Sequence, residues 1–260
     1  MSFKVAASDF DGTLFREQKI SAADLAAIQA WRAAGNAFGI VTGRAMMMLT
    51  AHFEEFALDV DFAVCCNGAI ICDGAGRVLF ESELPKKILC DILAEDSAAR
   101  TLHFLFEAAQ KIFCARVKES SWILRESARW DLTPVDAAQI DALPPINQLA
   151  LNFPSLEEAQ AATDAINRKF GDAILAQQNT YSVDIVPAGI NKAQGVENLL
   201  ALRNWRGAEV HVIGDEANDL PMIRRFGGCT VSTANDLVKR EASAIFDSVG
   251  DMLKNFLDKI

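Results

Sequence analysis

The 260-residue sequence predicts an α/β chain, a doubly wound parallel sheet with an inserted α+β unit. Three observations carry that reading. Apolar strand-like runs alternate with helix-period segments from Phe3 to Cys66, neighbouring strands with fewer helices fill the middle, and the first alternation resumes after Pro187.

"FKVAAS" reads as a buried strand, and it leads into "DFDGTL". Side chains alternate along an extended segment, so Asp9 and Asp11 fall on one face while Phe10 points into packing. S-A-A-D from Ser21 is a capping-box-like start for a helix that carries Leu25, Ile28 and Trp31 on one side and ends at Gly35. "NAFGIV" is the second strand, "TGRAMMMLTAHFEEF" a loop and helix, and "DFAVCC" the third strand. Asp73-Gly74-Ala75-Gly76 inside "AIICDGAGRVLFE" signals a hairpin.

From Leu84 to Pro187 the order becomes helix ("PKKILCDILAED"), strands ("TLHFLFE", "KIFCARV"), a polar stretch, strand ("NQLALNF"), helix ("SLEEAQAATDAINRKFG") and strands ("AILAQQ", "YSVDIV"). Short polar links between adjacent strands imply an antiparallel sheet. Helix ("NKAQGVENLLAL"), strand ("EVHVIGD"), helix, short strand ("CTVS") and helix follow. The expected division is therefore a discontinuous parallel-sheet unit, 1–83 and 188–260, with 84–187 inserted.

Net charge is −10, with 51% hydrophobic residues. Such a surface repels nucleic-acid phosphates and anionic lipid headgroups, so neither is the expected partner, and a small anion needs a locally positive site. The six cysteines form no C-x-x-C pair and no zinc spacing, and no apolar run has the length of a membrane span. The expectation is a cytoplasmic protein with reduced cysteines.

Ligands of open parallel sheets bind at the carboxyl ends of the strands. Four polar signals fall there: Asp9 with Asp11; Thr42-Gly43-Arg44; Asp215, followed by Glu216, Asn218 and Asp219; and Lys192, which opens the helix after the insert. Each alone has a plain structural reading as a turn, a loop, a solvated lysine or a helix cap. Their co-occurrence in this order is specific.

"DFDGTL", "VTGR", Lys192 and "GDEANDLPMI" resemble the four motifs of the haloacid dehalogenase-like phosphatases. "CNGA" at Cys66–Ala69 and the large late insert are similar to the Cof-type branch, whose members mostly hydrolyse sugar phosphates and other small phosphate monoesters. "CTVSTAND", Cys229 to Asp236, departs from the Met-Gly-Asn-Ala usual there.

The resemblance implies a Rossmann-like core and a cap, with a small phosphorylated metabolite as substrate. Asp9 would be the nucleophile, and Asp11 the general acid and base, its protonated form favoured by a neighbouring carboxylate and partial burial. Mg²⁺ would be held by Asp9, Asp215 and the backbone carbonyl of Asp11. Thr42 and Lys192 would bind the transferring phosphoryl oxygens, Arg44, Asn67, Gly68 and Asn218 the substrate, and Glu216 and Asp219 would orient these groups.

Two further readings share the chemistry of an aspartyl-phosphate: a phosphosugar mutase, and a phospho-accepting signalling domain. A receiver needs only about half this length and carries its acid pair adjacent. A binding protein without catalysis would be expected to lack Asp9 or Asp11. His52, His103 and His211 read as structural, and Met46, Met47 and Met48 as helix packing. Trp122, Arg125, Arg129 and Trp130 lie in the least regular part of the insert, where they either reach the substrate or pack the insert's own sheet.

Overall fold

The computed structural model describes residues 3–126 and 130–257. Strand β1 (Lys4–Ser8) is followed by α1 (Ala22–Ala33), β2 (Ala37–Val41), α2 (Met46–Glu55), β3 (Phe62–Cys65), β4 (Ile70–Asp73) and β5 (Val78–Glu81). The middle comprises α3 (Lys86–Leu93), β6 (His103–Ala108), β7 (Lys111–Ala115), α4 (Ile123–Glu126), β8 (Thr133–Pro134), β9 (Gln148–Asn152), α5 (Leu156–Phe170), β10 (Ile174–Asn179) and β11 (Ser182–Pro187). The chain continues through α6 (Lys192–Leu202), β12 (Glu209–Gly214), α7 (Leu220–Phe226), β13 (Cys229–Val231), α8 (Asp236–Glu241), β14 (Ile245–Phe246) and α9 (Val249–Leu257).

Among the described residues, eight strands drawn from both ends of the chain form one sheet, ordered β14-β13-β12-β1-β2-β3-β4-β5. Pairing is parallel from β14 to β3, and the β4–β5 hairpin extends the edge antiparallel. A parallel sheet needs cover on both faces. Ala6, Phe38 and Ile40 pack with Ile28, Trp31 and Met252 on one side, while Val5, Ala7 and Val41 pack with Val196, Leu199 and Met222 on the other. Ser21 caps α1 as expected, its hydroxyl accepting from Asp24 N at 3.0 Å.

The second sheet runs β10-β11-β9-β6-β7-β8 and is antiparallel except for the β7–β8 pair. Period-two alternation divides its faces. Phe104, Phe106, Leu149, Leu151, Val183 and Ile185 share a core with Ile92, Ala159 and Ile166 from α3 and α5. Leu105, Glu107, Gln148, Ala150 and Asp184 therefore fall on the opposite face, where Glu107 lies across from Gln148, and Asp184 across from Ala150. That face meets the carboxyl edge of the first sheet: Gln148 Nε2 donates to Gly43 O at 2.8 Å, and Asn67 Nδ2 to Gln148 Oε1 at 2.9 Å.

The structure differs from the sequence reading in two ways. β1 stops at Ser8, before either acid, and Asp11 lies in a loop closed by Leu14 N and Phe15 N donating to Phe10 O. Strand alternation therefore does not place the pair; the loop does, with Phe10 fully buried against Phe15. The short elements α4, β8 and β14, and α9 as a separate final helix, were not anticipated. A two-residue strand such as β14 is too short to have a period. Among the described residues, no helix is long and apolar enough to cross a membrane.

Candidate active site

Asp9 N donates to Ile213 O of β12 at 2.9 Å, which pins the first acid at the joint of two central strands. Asp9 is buried. Lys192 is the first residue of α6, whose N-cap, Asn191, accepts from Gln194 N at 3.0 Å. The Lys192 ammonium lies 2.7 Å from Asp9 Oδ1 and 2.6 Å from Asp219 Oδ1. The second Asp219 oxygen accepts from Asp215 N at 2.9 Å and Glu216 N at 3.0 Å, so the spacing in "GDEAND" lets the last acid fold back onto the amides at the start of its helical turn. Asp215 Oδ1 accepts from Thr13 Oγ1 at 2.7 Å. Gly12 has φ 79°, and a Cβ there would overlap the Asp215 carboxylate, so this loop requires glycine.

Asp9, Asp215 and Asp219 each offer an oxygen within 4.8 Å of the others. Two of these three acids grip the Lys192 ammonium. Burial, with the charges of Asp219 and Asp215, holds the Asp9 carboxyl well above its usual range despite Lys192. Burial likewise lifts Asp215 to about 6. Burial by itself would depress the Lys192 ammonium, but Asp219 and Asp9 outweigh it and hold the group above its ordinary value. An all-oxygen, net-negative site of this kind fits a hard divalent cation such as Mg²⁺. Both Asp219 oxygens are taken by Lys192 and backbone amides, so Asp9 and Asp215 are the carboxylates that would hold it.

The Asp11 side chain lies outside that cluster. Arg44 grips it with two bonds, Nη2 to Oδ1 at 2.6 Å and Nε to Oδ2 at 2.7 Å. The expectation of partial burial is corrected: the Asp11 side chain is 50% exposed, because the loop after β1 carries it outward to the guanidinium. Thr42 is buried, and its hydroxyl accepts from Arg44 N at 3.2 Å. Asn67 takes φ 51° and receives Asn218 Nδ2 at 3.2 Å. Gly68 has φ 106°, and a Cβ there would overlap the Asn191 carbonyl, which makes it a packing point against the start of α6. Glu216 accepts from Asn235 Nδ2 at 2.9 Å, so the divergent Cys229–Asp236 segment braces the Asp215 turn.

The histidines are structural in their surroundings. His52 stacks among Phe10, Phe15 and Phe56 and meets Arg44 Nη1 at 3.1 Å. His103 Nδ1 lies 2.8 Å from the Ser121 hydroxyl, and burial lowers its pKa to about 4. His211 packs on Phe256 and Trp31. Met48 is buried, while Met46 and Met47 pack partly exposed against the same core.

Asp9, Asp11, Thr42, Arg44 and Asn218 line a cavity of about 350 Å³. The second sheet supplies Glu107, Gln148 and Asp184 to its other wall, and the connection between β7 and β8 supplies Trp122 and Trp130. Arg125 is exposed on α4, and Arg129 lies outside the described residues. Sequence reasoning missed Glu107, Gln148 and Asp184. Their signal was an acid or amide in otherwise apolar strands, "TLHFLFE", "NQLALNF" and "YSVDIV", at positions that alternation assigns to the face away from the insert's own core.

Fold and site together define the class. The model for haloacid dehalogenase-like hydrolases matches residues 6–251, and the chain belongs to that family, as a phosphoric monoester hydrolase of its Cof-type branch. It is 25% identical to the pyridoxal phosphate phosphatase YbhA of Escherichia coli, over 99% of this chain and 98% of that one. It is 26% identical to the 5-amino-6-(5-phospho-D-ribitylamino)uracil phosphatase YbjI of Escherichia coli, over 87% and 84%. The fold matches that of the subclass IIB sugar phosphatase BT4131 with TM-score 0.80 at 20% identity, covering 97% and 98% of the two chains.

Proposed function

We propose that the chain is a Mg²⁺-dependent cytoplasmic phosphatase that hydrolyses a small phosphorylated metabolite through an aspartyl-phosphate on Asp9, with residues 84–187 as the cap. The observation that carries this is the Lys192 ammonium between Asp9 and Asp219, with Asp215 beside them. Relatives named for pyridoxal phosphate and for a phosphoribitylamino-uracil support a small monoester, and sugar phosphates remain in that range. The free cysteines fit a reducing compartment.

When bound, Mg²⁺ supplies the positive charge that lets an anionic ester approach an anionic nucleophile. An Asp9 oxygen attacks phosphorus, the ester P–O bond breaks, and the leaving oxygen takes a proton from Asp11. Water then loses a proton to Asp11 and attacks phosphorus, which releases orthophosphate and restores the Asp9 carboxylate. Thr42 donates a hydrogen bond to the phosphoryl oxygens, and the Lys192 ammonium offsets their charge. The guanidinium of Arg44 grips Asp11, and an arriving phosphate competes for that guanidinium, which frees the Asp11 carboxyl to face the leaving oxygen.

Acid-quenching the enzyme during turnover of a ³²P-labelled monoester tests this. Label should remain on wild-type protein, be released by hydroxylamine as an acyl phosphate is, and be absent from Asp9→Asn. Label retained by Asp9→Asn would move the nucleophile elsewhere.

A further inference from the structure

The cap wall of the cavity holds two buried carboxyls that the phosphoryl chemistry does not use. Glu107 is 2% exposed and Asp184 is 6% exposed. Their bonds from described residues fall on one oxygen each. Glu107 Oε2 accepts from Cys66 Sγ at 3.3 Å and Gln148 Nε2 at 3.0 Å, and Asp184 Oδ2 from Asn67 Nδ2 at 3.2 Å and Asn179 Nδ2 at 3.4 Å. Among the described residues, Glu107 Oε1 and Asp184 Oδ1 receive no donor. Both residues line the cavity, and Ala150, directly across from Asp184, leaves room in front of it.

A buried carboxylate without a full set of donors is costly unless a counter-charge arrives. The nearby ammonium of Lys192 is already shared by Asp9 and Asp219. Burial raises Asp184 to about 6, against hydrogen bonds from Asn179 and Asn67 and the charge of Lys192, and, with the charge of Asp184, raises Glu107 to about 8. A neutral hydroxyl would donate a hydrogen bond but leave that charge uncompensated. Trp122 and Trp130 stand at the same wall, ring centroids 5.7 Å apart, and aromatic faces attract cations; the Arg44 guanidinium already lies 6.0 Å over the Trp130 ring, which leaves Trp122 as the aromatic face for a ligand. The cavity is therefore lined by phosphate-binding groups of the first sheet's carboxyl edge and by an acidic, aromatic wall from the insert.

We propose that Asp184 and Glu107 select a leaving group carrying a basic nitrogen, with Asp184 pairing the cation and Glu107 turning its second oxygen to the same group. The enzyme's substrates would then be aminated or basic-ring phosphate monoesters rather than neutral polyol phosphates. This rests on the phosphatase reading above and adds the substrate class to it.

Calorimetric titration of Asp9→Asn with matched ligands tests it: glucosamine 6-phosphate against glucose 6-phosphate, and 4-(aminomethyl)benzyl phosphate against 4-methylbenzyl phosphate, all with Mg²⁺. The nitrogen-bearing member of each pair should bind about tenfold tighter or better, as expected for a buried charge-assisted contact. The preference should shrink to within about twofold when Asp184→Asn is added, and should be reduced by Glu107→Gln, since each removes an acceptor from the wall. Equal affinities within both pairs, or a preference undiminished by both substitutions, would overturn the assignment. Hydrolysis of para-nitrophenyl phosphate by wild type is read in parallel. Its absence would remove the phosphatase reading, whereas the binding comparison reports on the cap wall independently of turnover.

Discussion

Lys192 and Asp9 stand 183 positions apart in sequence and meet as a buried ion pair, Nζ to Oδ1 at 2.7 Å. Removing the ammonium while leaving Asp9 and Asp219 in place strands two carboxylates without a counter-charge. Lys192→Met should therefore destabilise the metal-free protein by about 3–5 kcal/mol and reduce turnover by about a hundredfold or more. Urea unfolding and steady-state rates check this. Added Mg²⁺ should recover part of the stability and little of the activity. A loss below about 1 kcal/mol, the range of exposed pairs, would mean that Lys192 is not the counter-charge of this cluster.

The acid cluster makes a prediction about metal with a readout besides activity. EDTA should abolish turnover and Mg²⁺ restore it, while Ca²⁺, with its larger and looser coordination, should support it poorly. Mg²⁺ at about a hundred times its dissociation constant should also stabilise the fold by about 2.7 kcal/mol, seen as a raised melting temperature. Asp215→Asn should erase that rise. An identical rise in wild type and Asp215→Asn would place the ion elsewhere.

Glu107 sets a pH dependence of stability. Burial, then the charge of Asp184, lifts it from an ordinary 4.5 to about 8, against the hydrogen bonds from Cys66 and Gln148. A carboxyl whose folded value exceeds its unfolded one holds its proton more tightly when folded. Its stabilising contribution is complete at low pH and is lost as pH climbs from the unfolded value through the folded one. Asp184, lifted to about 6, acts in the same direction. In Mg²⁺-saturated protein, stability should fall between pH of about 4.5 and about 8 by an amount on the order of a few kcal/mol. Glu107→Gln should flatten much of that fall. Parallel stability curves for the two proteins would show that Glu107 does not titrate in this window.

The parallel sheet was legible in the sequence because a strand buried on both faces, such as "NAFGIV", has a composition that little else shares, and because Ser21 and Gly35 mark the ends of their helix. Asp9, Lys192 and Asp215 were legible because each lies at the junction of an element and a loop, where the topology itself gathers ligands. The wall supplied by the second sheet was not. Glu107, Gln148 and Asp184 lie inside strands of the second sheet, and which face of that sheet meets the first depends on how α3 and α5 cover the other, a tertiary fact. The Asp11–Arg44 pair escaped for a similar reason: both residues were singled out, but their contact depends on a loop conformation after β1 that extended-strand geometry does not describe.

Asp11 and Asp9 should be separable by the leaving group. If Asp11 donates the proton to the departing oxygen, Asp11→Asn should harm the first half-reaction least when that oxygen needs no proton, as in para-nitrophenyl phosphate, and most for an alkyl ester. Asp9→Asn should be equally inactive toward both, because no leaving group replaces a missing nucleophile. In the second half-reaction, water attacks the aspartyl-phosphate and still needs a base whatever ester was used. Rapid mixing of Asp11→Asn with para-nitrophenyl phosphate should thus show a burst of nitrophenol near one equivalent, followed by slow phosphate release. Arg44→Ala gives the complementary result: with Asp11 no longer held by the guanidinium, proton transfer is spared and the weaker phosphate contact should appear mainly as a raised KM. Equal losses for good and poor leaving groups in Asp11→Asn, with no burst, would remove Asp11 from proton transfer and leave it as the partner that positions Arg44.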